Sequence, residues 1–151
     1  MRVLLIILLY VVPSNGANYH REAQVSRWAG ESEAWMGQHG VNVHYSDART
    51  MTFNEYIDNA YSLFRFLDHQ NYAVYLETSV PDKCGEHVLN IAAVYPAKCL
   101  ADDRWNSLVL THEVLHLLGA QHSENKNDVM YPIAYFPPDL VCEFCEAYTR
   151  R

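Results

Sequence analysis

The chain has 151 residues, half of them hydrophobic, with 18 acidic against 11 basic side chains and a formal net charge of −7. A phosphate-binding surface needs clustered Lys and Arg, and the only local basic pair is the terminal Arg150-Arg151, so this balance argues against a nucleic-acid partner. The length sustains one hydrophobic core without a second domain, and no internal repeat, low-complexity linker or Asn-x-Ser/Thr acceptor interrupts it.

Met1-Arg2 gives a positive start, residues 3–12 are an unbroken apolar run, and residues 13–17 supply small side chains around a cleavage point after Gly16. This is the pattern of a secretory signal peptide over residues 1–16, which leaves 17–151 as a single secreted domain. Ten apolar residues fall short of the roughly 20 that a membrane span takes, and no later segment is long enough, so no transmembrane helix is expected. Residues 17–38 fit either a pro-segment or part of the fold. Val41, Val43 and Tyr45 alternate with Asn42, His44 and Ser46, the signature of a half-buried strand. Thr52 and Glu55 are spaced as a capping box, with Met51 and Tyr56 as its hydrophobic staple. They open an apolar stripe of Phe53, Tyr56, Ile57, Ala60, Tyr61, Phe64 and Leu67, an amphipathic helix of about four turns. Residues 72–78 read as a second strand and 89–95 as a third, the latter nearly all apolar.

The chemistry concentrates in residues 112–122, His-Glu-Val-Leu-His-Leu-Leu-Gly-Ala-Gln-His. On a helix, residues four apart share a face one turn apart, so His112 and His116 can present ring nitrogens to one metal ion about 2 Å away. Glu113 is then placed on the open side of the metal, as a general base for water. Gly119 can take a left-handed turn without a Cβ penalty, ending the helix and bringing His122 back as a third ligand. Three neutral imidazoles leave the fourth position of a zinc ion to water, whose pKa falls from about 15.7 toward roughly 7. Structural zinc sites are closed; this one is open.

After a short polar stretch comes Asp128-Val129-Met130-Tyr131-Pro132, which resembles a Met-turn. The extended histidine motif followed by a Met-turn identifies a resemblance to the metzincin clan. The nearest likeness is to the matrixins, in the Ser123 after the third histidine, the Val129-Met130-Tyr131-Pro132 run, Asp102-Asp103-Arg104-Trp105 ahead of the active helix, and a last helix from Pro138-Asp139-Leu140 to Tyr148. The resemblance covers residues from about 90 to the C-terminus and implies an α+β metzincin-like zinc peptidase domain. Such a domain has a small twisted mixed sheet, a long backing helix, an active-site helix and a C-terminal helix. It also implies that Met130 packs as a hydrophobic floor beneath the metal without ligating it, and that Tyr131 has no ligand role. In matrixins the strand corresponding to residues 89–95 is the sheet edge that pairs with extended substrate; the apolar composition here equally fits a buried central strand.

Cys84, Cys99, Cys142 and Cys145 are even in number and, behind a leader, favour disulfides. Sequence proximity favours Cys84–Cys99 and Cys142–Cys145. A Cys-x-x-Cys bridge is awkward on a regular helix, which keeps the crossed pairings open. Pro81-Asp82-Lys83-Cys84-Gly85 faintly resembles the cysteine switch of matrixin pro-segments, but it lies inside the catalytic fold, not in a detachable segment. A second zinc site of the archaemetzincin kind lacks two of its cysteines. His20, His39, His44, His69 and His87 show no ligand spacing and read as surface or strand residues. Calcium, which matrixins bind, has no readable ligand pattern. The expectation is a monomeric, secreted zinc endopeptidase acting on protein or peptide substrates with one catalytic zinc. A zinc exopeptidase, or a metzincin-like binding protein or toxin without turnover, are the alternatives.

Overall fold

A computed structural model describes residues 3–15, 20–65, 70–77, 83–96, 102–133 and 136–150. Strand β1 (Leu4–Val12) is the most apolar segment of the chain and lies inside the sheet, with neighbours on both edges. Its alternating residues feed two cores. Ile6, Leu8, Tyr10 and Val12 enter the larger one, while Leu9 and Val11 enter a smaller one on the opposite face. A strand buried on both faces has no polar side to show, so it reads as a continuous apolar run. A signal peptide's hydrophobic segment has the same composition. Residues 4–12, within the run read from the sequence as a leader, form an inner strand of the described sheet.

Helix α1 (Glu22–Gln38) follows and buries Val25, Trp28, Ala29, Ser32 and Met36, a helical stripe. Gly40, at φ +85°, reverses the chain. Strand β2 (Val43–Tyr45) then pairs in parallel with residues 4–6 of β1, and β3 (Arg49–Thr52) with residues 9–12 on the same edge. Between them Ser46 Oγ accepts from Leu8 N at 2.9 Å, filling the break in the ladder.

The capping box forms reciprocally: Glu55 N donates to Thr52 Oγ1 at 3.2 Å and Thr52 N donates to Glu55 Oε1 at 3.4 Å. It starts α2 (Phe53–Arg65), and Met51 and Tyr56 pack together against the smaller core. Phe53 and Ile57, expected in the buried stripe, are exposed, while Tyr56 packs against the smaller core. The side chains of Ala60, Tyr61, Phe64 and Leu67 lie outside the described residues.

Strand β4 (Asn71–Leu76) takes the other edge of β1, followed by β6 (Ile91–Val94), both parallel. Strand β5 (Gly85–Val88) closes the sheet as an antiparallel edge. The order is β2-β1-β4-β6-β5, with β3 beside β2 on β1. The stretch at 89–95 is therefore interior, as its composition allowed, and the edge belongs to β5, which the sequence reading did not identify.

Helix α3 (Asp103–Leu117) shares the large core with α1. The helix directly backing α3 is thus α1. The two are tied by Asp103, which accepts from Trp28 Nε1 at 2.7 Å and Arg27 Nη2 at 2.6 Å. The last helix, α4 (Glu143–Tyr148), is shorter than expected, because Val141 is drawn into a bridge with Asp128. Cys142 and Cys145 are bonded with Cα atoms 5.2 Å apart. Cys142 is the N-cap, with extended backbone, so the pair escapes the geometry that makes such a bridge awkward within a helix. Cys84 is also disulfide-bonded, which removes the thiolate a cysteine switch needs. Cys99, its expected partner, lies outside the described residues. No helix of the described residues is long and apolar enough to cross a membrane.

Candidate metal centre

Helix α3 is started by Asp102, whose side chain accepts from Trp105 N at 3.0 Å, and stopped by Gly119. Gly119 N donates to His116 O at 3.0 Å and Ala120 N donates to Leu115 O at 3.0 Å, the two bonds of a Schellman motif. Gly119 has φ +105°, and an added Cβ would meet nothing within 4 Å. The requirement for glycine is conformational, not steric.

The reversal does more than end the helix. It turns the carbonyl of Ala120 back to His116, whose Nδ1 lies 2.8 Å away, and sends the chain on to His122. His112 is held in the same way by the carbonyl of Val129, 2.7 Å from its Nδ1. Each ring thus donates its Nδ1–H to backbone and keeps an unprotonated Nε2 for the centre. His116 Nε2 is 3.2 Å from His112 Nε2 and 3.2 Å from His122 Nε2.

Two lone pairs aimed at each other across that distance repel unless a cation stands between them. A tetrahedral ion with Zn–N bonds of about 2.05 Å sets its nitrogens about 3.3 Å apart, close to the spacing found. Burial pushes the His116 imidazole down to about 4 and that of His112 below its ordinary value, which keeps both rings neutral and able to ligate. The three residues fit a zinc ion.

The turn that supplies the Val129 carbonyl is organised by Asp128, which is 1% exposed. Its carboxylate accepts from Met130 N at 2.7 Å and from Glu143 N at 2.9 Å, joining the turn to the start of α4. The Met130 carbonyl accepts from Ser123 N at 3.0 Å, so the residue after His122 is anchored to the same turn. Met130 itself is buried in the large core. The sequence reading gave Asp128 no task, although a carboxylate two residues before a buried methionine is the signal for one.

Glu113 lies on the side of α3 that faces β5 and is 7% exposed. Burial and the Glu86 charge push its carboxyl up to about 8, with Lys83 pulling the other way. Beside it stands His87 of β5, its Nδ1 3.5 Å from Glu113 Oε1 and its ring stacked on His116 at 4.1 Å between centroids. No spacing in the sequence points to His87. Only the β5–β6 hairpin, which sets it opposite Ala92, carries it to α3. His20, His39 and His44 make contacts elsewhere, and His69 lies outside the described residues.

The groove over these residues has a volume of about 750 Å³ and runs between β5 and the segment after the Met-turn, with Ile133 and Phe136 on its far wall. Arg104 fixes that wall by donating to the carbonyls of Phe136 and Pro137 at 2.6 and 2.8 Å, and Trp105 meets Phe136 edge to face.

The architecture is similar to that of archaemetzincin from Methanopyrus kandleri, with a TM-score of 0.62 and 16% identity over 96% of this chain and 93% of that one. It is also similar to a zinc-dependent peptidase from Methanocorpusculum labreanum, with a TM-score of 0.56 and 15% identity over 95% of this chain and 99% of that one. No curated protein sequence matches the chain. The matrixin family profile matches residues 27–140, three quarters of the length, and takes in α3, the three histidines and the Met-turn. With a metzincin-like fold around that match, the chain belongs to the matrixin family of peptidases.

Proposed function

We propose that the protein is a zinc endopeptidase that cuts internal peptide bonds, with His112, His116 and His122 holding the metal and Glu113 carrying the proton. The observation that supports this most directly is the triangle of Nε2 atoms, two of its sides 3.2 Å, with the His112 and His116 rings locked by backbone carbonyls. A zinc ion bound there supplies Lewis acidity toward the scissile carbonyl and toward water. Glu113, the residue after His112 and on the groove side of the helix, takes the proton of the attacking water and returns it to the leaving amine. Its burial suits both halves of that task, since a carboxylate shielded from bulk water is a stronger base toward a proton inside the groove.

Strand β5 is the terminal strand of the sheet, so its outer edge offers main-chain groups for an extended substrate to pair with. This supports cutting within a chain over trimming at an end. The Cys142–Cys145 bridge supports action in an oxidising compartment, the extracellular setting expected from the sequence, with β1 retained in the working domain.

The test is digestion of a mixed peptide library by the full-length chain, with and without a zinc chelator. Internal cuts that vanish with chelation, and fall by several orders of magnitude in Glu113→Gln while zinc binding persists, are the expected result. Terminal trimming alone would make it an exopeptidase, and no chelator-sensitive cleavage would make it a zinc-binding protein without turnover.

A further inference from the structure

The groove contains one side chain that peptide hydrolysis leaves without a task. His87 projects from β5 with 45% of its side chain exposed, while the carboxylate it approaches is 9% exposed. His87, Glu113 and His116 each offer a ligand atom, and the three atoms lie within 4.8 Å of one another. His116 has one nitrogen to give, because its Nδ1 is bound to Ala120 O. Once that nitrogen serves the three-histidine centre, the imidazole of His87 and the carboxylate of Glu113 remain as a pair beside it.

Their approach depends on Gly85. A Cβ there would stand 2.8 Å from both Ala93 O and Val109 Cγ1 and 3.1 Å from Glu113 Oε2, so any side chain would push the strand away from α3. Lys83, the cation at the start of the strand, is engaged by Glu86 at 2.7 Å.

We propose that His87 and Glu113 form a second, weaker divalent-cation position, reached from the groove, and that filling it halts hydrolysis by occupying the carboxylate that must accept a proton. An imidazole with a carboxylate suits zinc, solvent completing the shell, whereas calcium takes six to eight oxygens and finds no such set here. Two protein ligands in place of three make the position the weaker of the two. The inhibitory half rests on the peptidase reading above; the binding half stands without it.

The test titrates Zn²⁺ into the chelator-treated full-length chain by calorimetry, with metal analysis after dialysis. Two classes of binding are expected in the wild type. His87→Ala and Glu113→Gln should keep the tight class and weaken the second by about tenfold or more. His87→Phe, which preserves the ring stack on His116 and removes the donor, should behave as His87→Ala and covers the case in which the alanine disturbs the strand. Wild-type cleavage should rise to one equivalent of zinc and fall beyond it. The inhibitory zinc concentration, read relative to each protein's own maximum, should move up about tenfold or more in His87→Phe. A single binding class in the wild type, or a second class unchanged in both His87 variants, overturns the proposal. A His87-dependent second class in a protein that cuts no peptide would instead sink the peptidase reading and leave the cation position in place.

Discussion

Replacing Gly119 with alanine separates torsion from crowding at the point where α3 stops. The residue sits at φ +105°, and an added Cβ would find nothing within 4 Å, so no clash contributes and the cost is that of holding an L-residue in a sparsely populated backbone state. That cost is about 1–3 kcal/mol. With roughly 2–4 °C of melting temperature per kcal/mol for a domain of this size, a mid-range penalty lowers Tm by about 4–8 °C. The site should feel it too. The turn presents the Ala120 carbonyl to His116 at 2.8 Å, and disturbing such a support typically costs about tenfold or more in metal affinity. Thermal unfolding by circular dichroism with and without zinc, together with competitive zinc titration, reads both quantities. Gly30→Ala is the control: it lies within α1, has no positive φ, and a Cβ there also meets nothing within 4 Å, so it should leave stability level or raised by about 0.5–1 kcal/mol. A Gly119→Ala protein that melts and binds zinc like the wild type would refute the assignment of this turn as a torsional hinge of the site.

A chain beginning at Ala17 lacks β1, the partner of β2, β3 and β4, and is expected to lose cooperative melting and solubility. A cooperative, zinc-binding product from that start would instead support residues 1–16 as a leader. Asp128→Ala removes two charge-assisted bonds to backbone N–H groups, that of Met130 buried and that of Glu143 half-buried, each contributing about 1.5–3 kcal/mol, so a loss of about 3 kcal/mol or more is expected in chemical denaturation; a change under 1 kcal/mol would count against its anchoring of the turn. The stability that neutral His116 contributes to the metal-free protein should be lost as pH falls. Burial holds His116 at about 4 in the fold, an unfolded histidine titrates near 6.5, and between those values the unfolded chain binds more protons. Glu113, held at about 8, titrates with the opposite sign, so the measurement is made on Glu113→Gln: its chelated Tm should be level above about pH 6.5 and decline below it, and a Tm of that variant that rises on acidification would contradict the sign.

The metal centre was legible because its geometry is local. His112 and His116 need only one turn of helix, Gly119 supplies its own torsional reason, and His122 follows three residues later; the structure brings all three to one point. The capping box at Thr52 and Glu55 was legible for the same reason, since both partners sit within four residues. What escaped is non-local. His87 enters the site through a strand pairing, and the tether of Asp128 to Glu143 N spans fifteen residues. The backing role of α1 depends on contacts with α3 more than sixty residues downstream, such as that between Trp28 and Asp103.

The N-terminal apolar run shows a different kind of difficulty, where one composition satisfies two physical demands. A translocated leader needs an uninterrupted hydrophobic core, and a parallel strand covered on both faces needs the same thing. Pairing separates them. Leu4–Val12 meets β2 and β3 along one edge and β4 along the other, and sends alternate side chains into two cores. Nothing in the run itself records those partners. The signal lay downstream, in the strand patterns at Val43–Tyr45 and Asn71–Leu76, which need a neighbour between them. Parallel strands require a crossover of a dozen or more residues, and α1 supplies one between β1 and β2. Without Leu4–Val12, α1 would have no strand before it and β2, β3 and β4 would lose the strand they share, so the described sheet depends on this run as its inner strand.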